Sequence, residues 1–285
     1  MKSYILKKNL FIFDLYPEIF EIEDSLLIIG SEKNLKKLNL NDFDTIFTLF
    51  YLPIWIKHIL ALNQINLIYL DDFGRTQKVY LHKRLKRTHN KLLEMDKSLN
   101  LLESKARTID NIFKTSEAQA FLDYSLNNKI DIYTINENLN FIPKAIIMDA
   151  IKLNYKLTNK RASQVTNTLF NLTENIVSYS FYNKFIELGL NPENGFLNQK
   201  SPSLIRDLTE IQRLKFLKKL HYLFESRFFE KIDLNRKHFP KTVIKFVKIL
   251  STYFFYANRF KRVRELLYLA ECFKRGKQNE IFSSL

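Results

Sequence analysis

The first 75 residues alternate short apolar runs with turn-forming residues, a pattern typical of β-strands. Several runs are rich in β-branched and aromatic residues, and they predict strands at residues 4–13, 25–29, 45–50 and 66–70. Residues 53–62 have helical spacing instead, and the turn-forming Asp71, Asp72 and Gly74 follow the last strand. We therefore expect a small β-rich domain with one helix over residues 1–75.

From residue 76 onward, apolar positions recur every three or four residues over long stretches, which is the periodicity of amphipathic helices. The candidate helices cover residues 80–102, 108–126, 143–155, 165–188, 203–229 and 242–274. Pro192, Gly195 and Pro202 mark a loop between two of them, in a chain with only 5 glycines and 6 prolines. These patterns predict an α+β protein in which the β-rich domain (1–75) precedes a larger all-α domain (76–285).

The chain carries a strong excess of positive charge. Its 45 lysines and arginines outnumber 30 acidic residues, which gives a formal charge of +15 and a pI near 9.6. A surface with this field favours polyanions such as nucleic acid. The alternative is a basic composition that reflects only genome bias, since asparagine and isoleucine are also abundant.

Cysteine content and hydropathy predict a soluble cytoplasmic protein with no membrane partner. Cys272 is the only cysteine, so the chain can form no internal disulfide and no thiolate metal cluster. The longer apolar stretches, such as residues 45–56, are too short and too interrupted to span a bilayer, and the N-terminus lacks the features of a signal peptide.

Asp207 and Glu210 are the carboxylates with the clearest chemical spacing. They stand three residues apart in a helical segment, so both side chains are expected on one helix face. Neighbouring carboxylates repel each other when ionised, and a bound Mg²⁺ or Mn²⁺, which prefers oxygen ligands, removes that repulsion. Arg206 and Arg213 flank the pair and are able to contact phosphate. Considered alone, the spacing also fits a solvated helix face.

Four segments carry a family resemblance. Residues 65–74 (INLIYLDDFG) read as a strand and turn, and residues 116–124 (SEAQAFLDY) place a glutamate before small residues and a tyrosine. Residues 183–198 (NKFIELGLNPENGFLN) and 202–213 (PSLIRDLTEIQR) contain the loop and the paired carboxylates. These segments resemble the CRISPR-associated integrase that inserts new spacers into a CRISPR array. In that family the third segment reads Gly-Leu-Asp-Pro and then Gly-Phe-Leu-His.

The resemblance implies a metal-dependent DNA endonuclease and integrase that joins spacer DNA to the array by transesterification. It also implies a homodimer that acts on double-stranded DNA together with a small ferredoxin-like partner. Glu117, Asp207 and Glu210 would be the catalytic residues and would hold Mg²⁺ or Mn²⁺, with Asn198 at the place of the family's histidine ligand. An amide oxygen is a neutral, weak ligand, so this departure predicts an impaired metal site. The five histidines lie outside the motif.

Two alternatives to the active integrase follow. A catalytically degenerate, DNA-binding homologue would keep the fold and the dimer, and the missing histidine favours it. An unrelated helical nucleic-acid-binding protein would match the motifs by chance, and a β-rich N-terminus followed by helices that cluster the three carboxylates would eliminate it. In either related form, the expected DNA-binding residues are Arg206, Arg213, Lys215, Lys218 and Lys219.

Overall fold

The computed structural model describes residues 8–12, 19–31, 34–82, 95–234, 239–256 and 268. The first part of this range is built from strands with one helix: β1 (Lys8–Ile12), β2 (Ile19–Glu23), β3 (Leu26–Ser31), β4 (Asn34–Asn39), β5 (Phe43–Thr48), α1 (Ile54–Leu62), β6 (Asn66–Leu70) and β7 (Thr76–Tyr80). The second part is helical: α2 (Met95–Phe113), α3 (Glu117–Asn127), α4 (Ile132–Tyr155), α5 (Asn159–Ser180), α6 (Tyr182–Glu187), α7 (Ser203–Glu225) and α8 (Phe239–Ser251). The predicted α+β class, with strands before helices, is confirmed.

The strands form two sheets. One has four strands in the order β1-β5-β6-β7, with β1, β5 and β6 parallel and β7 antiparallel to β6. The other is an antiparallel sheet of β2, β3 and β4. Because β5 and β6 are parallel, the chain must cross between them, and α1 makes that crossover.

Strand β6 contributes to both hydrophobic cores formed by the described residues. All five of its residues are buried, which explains a continuous apolar run rather than an alternating one. Leu67 and Tyr69 face a core shared with α1, whereas Ile68 and Leu70 pack into the core of the helical region. One face of the four-stranded sheet therefore packs against the helical region.

Helix α7 runs through the middle of the helical region, in contact with α2, α4 and α5. Every residue from Ser203 to Leu214 is buried, so this half of the helix has no solvent face. Polar side chains on it must find partners inside the protein, since an unpaired buried polar group is costly. This requirement governs the candidate site.

Several predicted boundaries differ from those observed. Strand β7 follows the expected domain boundary at residue 75 and extends the sheet to Tyr80; the division into two domains stays a prediction. Residues 80–82 are not helical, and residues 83–94 of the predicted helix 80–102 lie outside the described range. Helix α4 begins at Ile132 rather than 143, because the Asp131 side chain accepts hydrogen bonds from the first-turn amides. Pro143 lies inside this helix.

Candidate functional site

The Asp207 carboxylate holds the glycine-containing loop that precedes α7. Oδ2 accepts hydrogen bonds from the main-chain amides of Phe196 (2.6 Å) and Leu197 (3.1 Å). Oδ1 accepts from the main-chain amide (2.9 Å) and the side-chain Nδ2 (2.6 Å) of Asn198. Both carboxylate oxygens are therefore engaged by donors of the loop, with a short approach that Gly195 permits because a Cβ there would meet Oδ2 at 2.7 Å.

Burial and hydrogen bonding shift the pKa of the Asp207 carboxyl in opposite directions. Burial raises the pKa of its carboxyl from 3.8 to about 6, although the amides of Phe196 and Leu197 and the Asn198 side chain favour the ionised form. The group thus sits near its midpoint at mildly acidic pH.

The Glu210 carboxylate is held by two cations. Its Oε1 lies 3.2 Å from Lys105 Nζ on α2, and its Oε2 pairs with the Arg213 guanidinium one turn along α7. Burial disfavours ionisation of Glu210, but Arg213 and Lys105 outweigh it and hold the pKa of this carboxyl below its usual range. Glu210 therefore stays ionised inside the protein.

Lys105 is fully buried and is surrounded by oxygen atoms. Besides Glu210, its ammonium donates to the side-chain oxygens of Asn136 (2.6 Å) and Asn140 (2.8 Å) on α4 and lies 3.3 Å from the Asn136 main-chain oxygen. Burial lowers the pKa of Lys105, and the Glu210 charge opposes that change. We call Lys105 with Asn136, Asn140 and Glu210 the lysine cage.

A second set of ion pairs adjoins the lysine cage. Arg206 and Arg213 both pair with Glu174 on α5, Arg213 at 3.5 Å. Burial opposes the ionised form of Glu174, but the two guanidinium groups lower the pKa of its carboxyl below the usual range. The cluster as a whole places three cations, Lys105, Arg206 and Arg213, among three carboxylates, Glu174, Asp207 and Glu210.

Glu117 lies apart from this cluster. It is the first residue of α3 and is exposed, whereas its neighbour Ala118 is buried. The α3 N-terminus is capped by Asp110, whose carboxylate accepts from the main-chain amides of Ala118 (3.0 Å) and Gln119 (2.9 Å). In the part of the chain that the structure describes, no group of three histidine, cysteine, aspartate or glutamate side chains is arranged to hold a metal ion.

A cavity of about 340 Å³ opens beside the cluster, between α4, α5, α7 and the loop before α7. Glu174, Asn198 and Glu210 line it together with two lysines, Lys144 and Lys200. Burial lowers the pKa of Lys144, and the neighbouring Lys200 charge lowers it further. Within the described residues neither lysine takes part in an ion pair, although the Glu174 carboxylate in the same lining favours the charged form of Lys144.

A second cavity, of about 450 Å³, adjoins the first. The two share Asn171, Glu174 and Lys200 as lining residues. Arg75 and Lys78, beside and on the edge strand β7, contribute exposed cations to this second cavity. We call the two adjoining cavities the cleft; the cations Arg75, Lys78, Lys144 and Lys200 line it alongside the carboxylates Glu137, Glu174 and Glu210.

The predicted DNA-binding residues fall into two groups. Lys215, Lys218 and Lys219 are exposed on the second half of α7. Arg206 and Arg213 have side chains only 4% and 10% exposed and are committed to Glu174 and Glu210. These assignments, like those of the metal ligands, stay predictions.

Sequence reasoning missed the residues that surround the motif carboxylates. Lys105 gave a signal, because it occupies a position of the apolar stripe formed by Leu101, Leu102, Ala106 and Ile109 on α2. A lysine at such a position must be paired inside the fold. Lys144 and Lys200 gave none, since single lysines in a chain with 45 basic residues do not stand out.

Comparison of the fold with solved structures gives a consistent result. A Cas1 protein from Thermotoga maritima matches with a TM-score of 0.67 at 13% identity, covering 93% of this chain and 96% of its own. A casposase bound to integration product matches with a TM-score of 0.53 at 19% identity, covering 90% of this chain and 88% of that one. The fold is that of Cas1.

The Cas1 fold also occurs within a longer protein. A chain of a Cas6-RT-Cas1–Cas2 complex matches with a TM-score of 0.70 at 13% identity over 99% of this chain. This chain spans only 36% of that longer one. Neither the protein-family models nor the curated proteins give a match to the sequence. At these identities the likeness establishes the fold and leaves the function to be argued from the site. Among the described residues, no helix has both the length and the apolar character needed to cross a membrane.

The residues present do not fit the divalent metal that the Cas1 resemblance implies. Such a site needs carboxylate oxygens that converge on one point with lone pairs available. Both carboxylate oxygens of Asp207 accept hydrogen bonds from the loop, four in all. The Glu210 oxygens pair with Lys105 and Arg213, and Glu117 is exposed on another helix. The Asn198 amide is turned with its Nδ2 toward Asp207. The donor set is therefore already compensated by the chain's own cations and amides.

Proposed function

We propose that the protein is a DNA-binding Cas1-like component of CRISPR adaptation whose buried charge cluster is structural rather than catalytic. The observation that carries the proposal is the Lys144–Lys200 pair that lines the 340 Å³ cavity, neither member of which forms an ion pair among the described residues. The two ammonium groups repel each other, Glu174 offsets that repulsion only in part, and a phosphodiester backbone relieves it further.

The track of cations supports duplex DNA as the ligand. Lys78 continues the positive charge from the first cavity into the second, past the shared Lys200, and Arg75 adds a guanidinium that pairs with Asp71 at 2.7 Å. The net charge of +15 adds a long-range attraction to any polyanion. A cleft that follows a charged backbone over two adjoining cavities suits a polymer better than a small anion.

The test is the salt dependence of binding to a short labelled DNA duplex, measured by fluorescence anisotropy. The slope of log K against log salt should fall by about 0.9 for each phosphate contact removed, hence by about 2 in the Lys144→Ala/Lys200→Ala variant. Lys241→Ala/Lys248→Ala is the matched control, because it removes two exposed lysines of α8 that line neither cavity. Equal slopes for the two double variants would remove the cleft as the binding site.

The exposed lysines of α7 are tested in the same assay. Lys215→Ala/Lys218→Ala/Lys219→Ala should lower the slope by about a further 3 if all three contact phosphate. A parallel titration with duplex RNA distinguishes a DNA-specific cleft from general attraction to polyanions.

A metal-dependent integrase is the second candidate, favoured by one observation. Asn198 and Glu210 line the same cavity, and the motif carboxylates Asp207 and Glu210 are both present. A strand-transfer assay on branched or repeat-containing DNA in Mn²⁺ separates the candidates, since the structural centre predicts no turnover. If Asn198→His creates activity and Glu210→Ala in the same background removes it, the integrase is the better description.

Assembly with a second copy and with a small ferredoxin-like partner belongs to the same proposal. The N-terminal region carries exposed apolar side chains on and beside α1, including Ile54 (71% exposed) and Leu62 (83% exposed). Such surface is typical of an interface. Light scattering should give a dimer for the wild-type protein and a monomer for Ile54→Asp/Leu62→Asp. A wild-type monomer with a folded spectrum would contradict this part.

A further inference from the structure

The lysine cage has the composition of a coordination shell for a hard cation. Three side-chain oxygens and one main-chain oxygen, from Asn136, Asn140 and Glu210, lie between 2.6 and 3.3 Å from a single buried nitrogen, Lys105 Nζ. Neutral amide oxygens and one carboxylate are the ligands that hard cations accept. Here they surround an ammonium supplied by the chain.

Three different helices build this shell, so it is a feature of the folded core. Lys105 comes from α2, Asn136 and Asn140 come from successive turns of α4, and Glu210 comes from α7. Asn136 and Asn140 stand four residues apart, which places both amides on one face of α4. Lys105 reaches them from the apolar stripe of α2, where its side chain has no exposed surface.

The charge balance leaves no place for a further cation. Glu210 is the only carboxylate in direct contact with Lys105 among the described residues, and its second oxygen is taken by Arg213. A divalent ion beside Glu210 would have to displace one of these cations or approach them at close range in a buried region. Both options cost electrostatic energy that the existing pairs avoid.

We propose that the Lys105 ammonium is the resident cation of this centre and compensates Glu210 in place of a divalent metal ion. The protein then keeps its core without any metal, and its stability and fold are independent of Mg²⁺ and Mn²⁺. This inference deepens the structural part of the proposed function, and its test uses no DNA, so failure of one leaves the other measurable.

The experiment measures thermal unfolding and Mn²⁺ binding of the full chain. Wild type should unfold at the same temperature in Mg²⁺, in Mn²⁺ and in EDTA. Lys105→Met, which keeps the apolar stem and removes the ammonium, should unfold at a lower temperature and should bind Mn²⁺ at least about tenfold more tightly than wild type. Lys105→Met/Glu210→Gln should lose that gain, because the charged ligand is gone. Arg107→Met is the matched control, since Arg107 is exposed on the same helix and pairs only with Glu103 in the described range.

A second measurement keeps the inference testable if Lys105→Met does not fold. Bound Mn²⁺ broadens nearby nuclear magnetic resonance signals, so the side-chain amide signals of Asn136 and Asn140 report directly on the cage. In wild type they should stay sharp in Mn²⁺, and Glu210→Gln should leave Mn²⁺ binding unchanged. Saturable broadening of these signals, Mn²⁺ binding that Glu210→Gln abolishes, or a Lys105→Met protein as stable as wild type would each overturn the proposal.

Discussion

Replacing Asp207 with alanine should destabilise the protein through the loop before α7. Four donors lose their acceptor: the main-chain amides of Phe196, Leu197 and Asn198, and the Asn198 side chain. An unsatisfied buried donor costs about 1–3 kcal/mol. Leu197 is buried, whereas Phe196 and Asn198 are half-buried and can reach water after a small movement. We therefore expect Asp207→Ala to lower the free energy of unfolding by about 4 kcal/mol near pH 5.

The loss should be smaller at higher pH. Because the folded pKa of Asp207 is raised from 3.8 to about 6, wild type loses stability as pH rises through 6, and the alanine variant does not. The full effect of a shift of this size is about 3 kcal/mol, of which roughly half falls above pH 5. The difference between wild type and Asp207→Ala should thus shrink by about 1.5 kcal/mol between about pH 5 and pH 8.

Urea denaturation at the two pH values measures these differences, and hydrogen exchange of the residue 196–198 amides assigns them to the loop. Asp149→Ala is the matched control: Asp149 is exposed on α4, so its removal should change stability by less than about 0.5 kcal/mol. An Asp207→Ala protein as stable as this control, or one whose loop amides remain protected, would refute the role of Asp207 as the anchor of the loop.

Three further predictions follow from the same site. Gly195→Ala should destabilise the protein, because the new Cβ would lie 2.6 Å from the Ser203 carbonyl carbon and 2.7 Å from Asp207 Oδ2; a denaturation midpoint equal to wild type would contradict it. Asn198→Ala removes a hydrogen-bond donor to the Asp207 carboxylate, so the pKa of Asp207 should rise further above about 6. A carboxyl titration by nuclear magnetic resonance measures this pKa, and a fall would be inconsistent with the observed hydrogen bond. Glu210 has a lowered pKa, so it contributes stability above about pH 4.5 that is lost as the pH falls; a urea series in acid should be flatter for Glu210→Gln than for wild type.

The fold class could be predicted because hydrophobic periodicity reports which face of each element is buried. The change from short apolar runs to a helical repeat marked the passage from strands to helices, and the buried run of β6 stood out for the same reason. Strands β2, β4 and β7 escaped prediction. Strands β2 and β4 flank β3 in a three-stranded sheet and β7 is an edge strand; all three carry exposed residues, so their sequences lack a strong apolar run.

The site could be predicted only in part, because partner choice is a tertiary property. The spacing of Asp207 and Glu210 correctly placed them on one helix, but the first half of α7 is buried on every side, so the two carboxylates meet different neighbours. Asp207 turns to the loop, and Glu210 turns to Lys105. No local pattern in the sequence shows that α2 brings a lysine to that point.

The buried Glu210 carboxylate on α7 needs a compensating positive charge, and more than one kind of cation can supply it. A divalent ion compensates the carboxylate reversibly and keeps coordination positions open for a substrate. A lysine fixed in the apolar stripe of a helix compensates it permanently and offers no coordination positions. The second solution also frees Asp207 from ligation, so its oxygens can hold the loop instead. The cavity that Lys144 and Lys200 line is also bordered by Glu210, so the Lys105–Glu210 pair compensates that side of the cavity without a metal. If the proposed DNA binding needs no metal, the salt slope measured in EDTA should equal the slope measured in Mg²⁺, and a slope that falls in EDTA would contradict this reasoning.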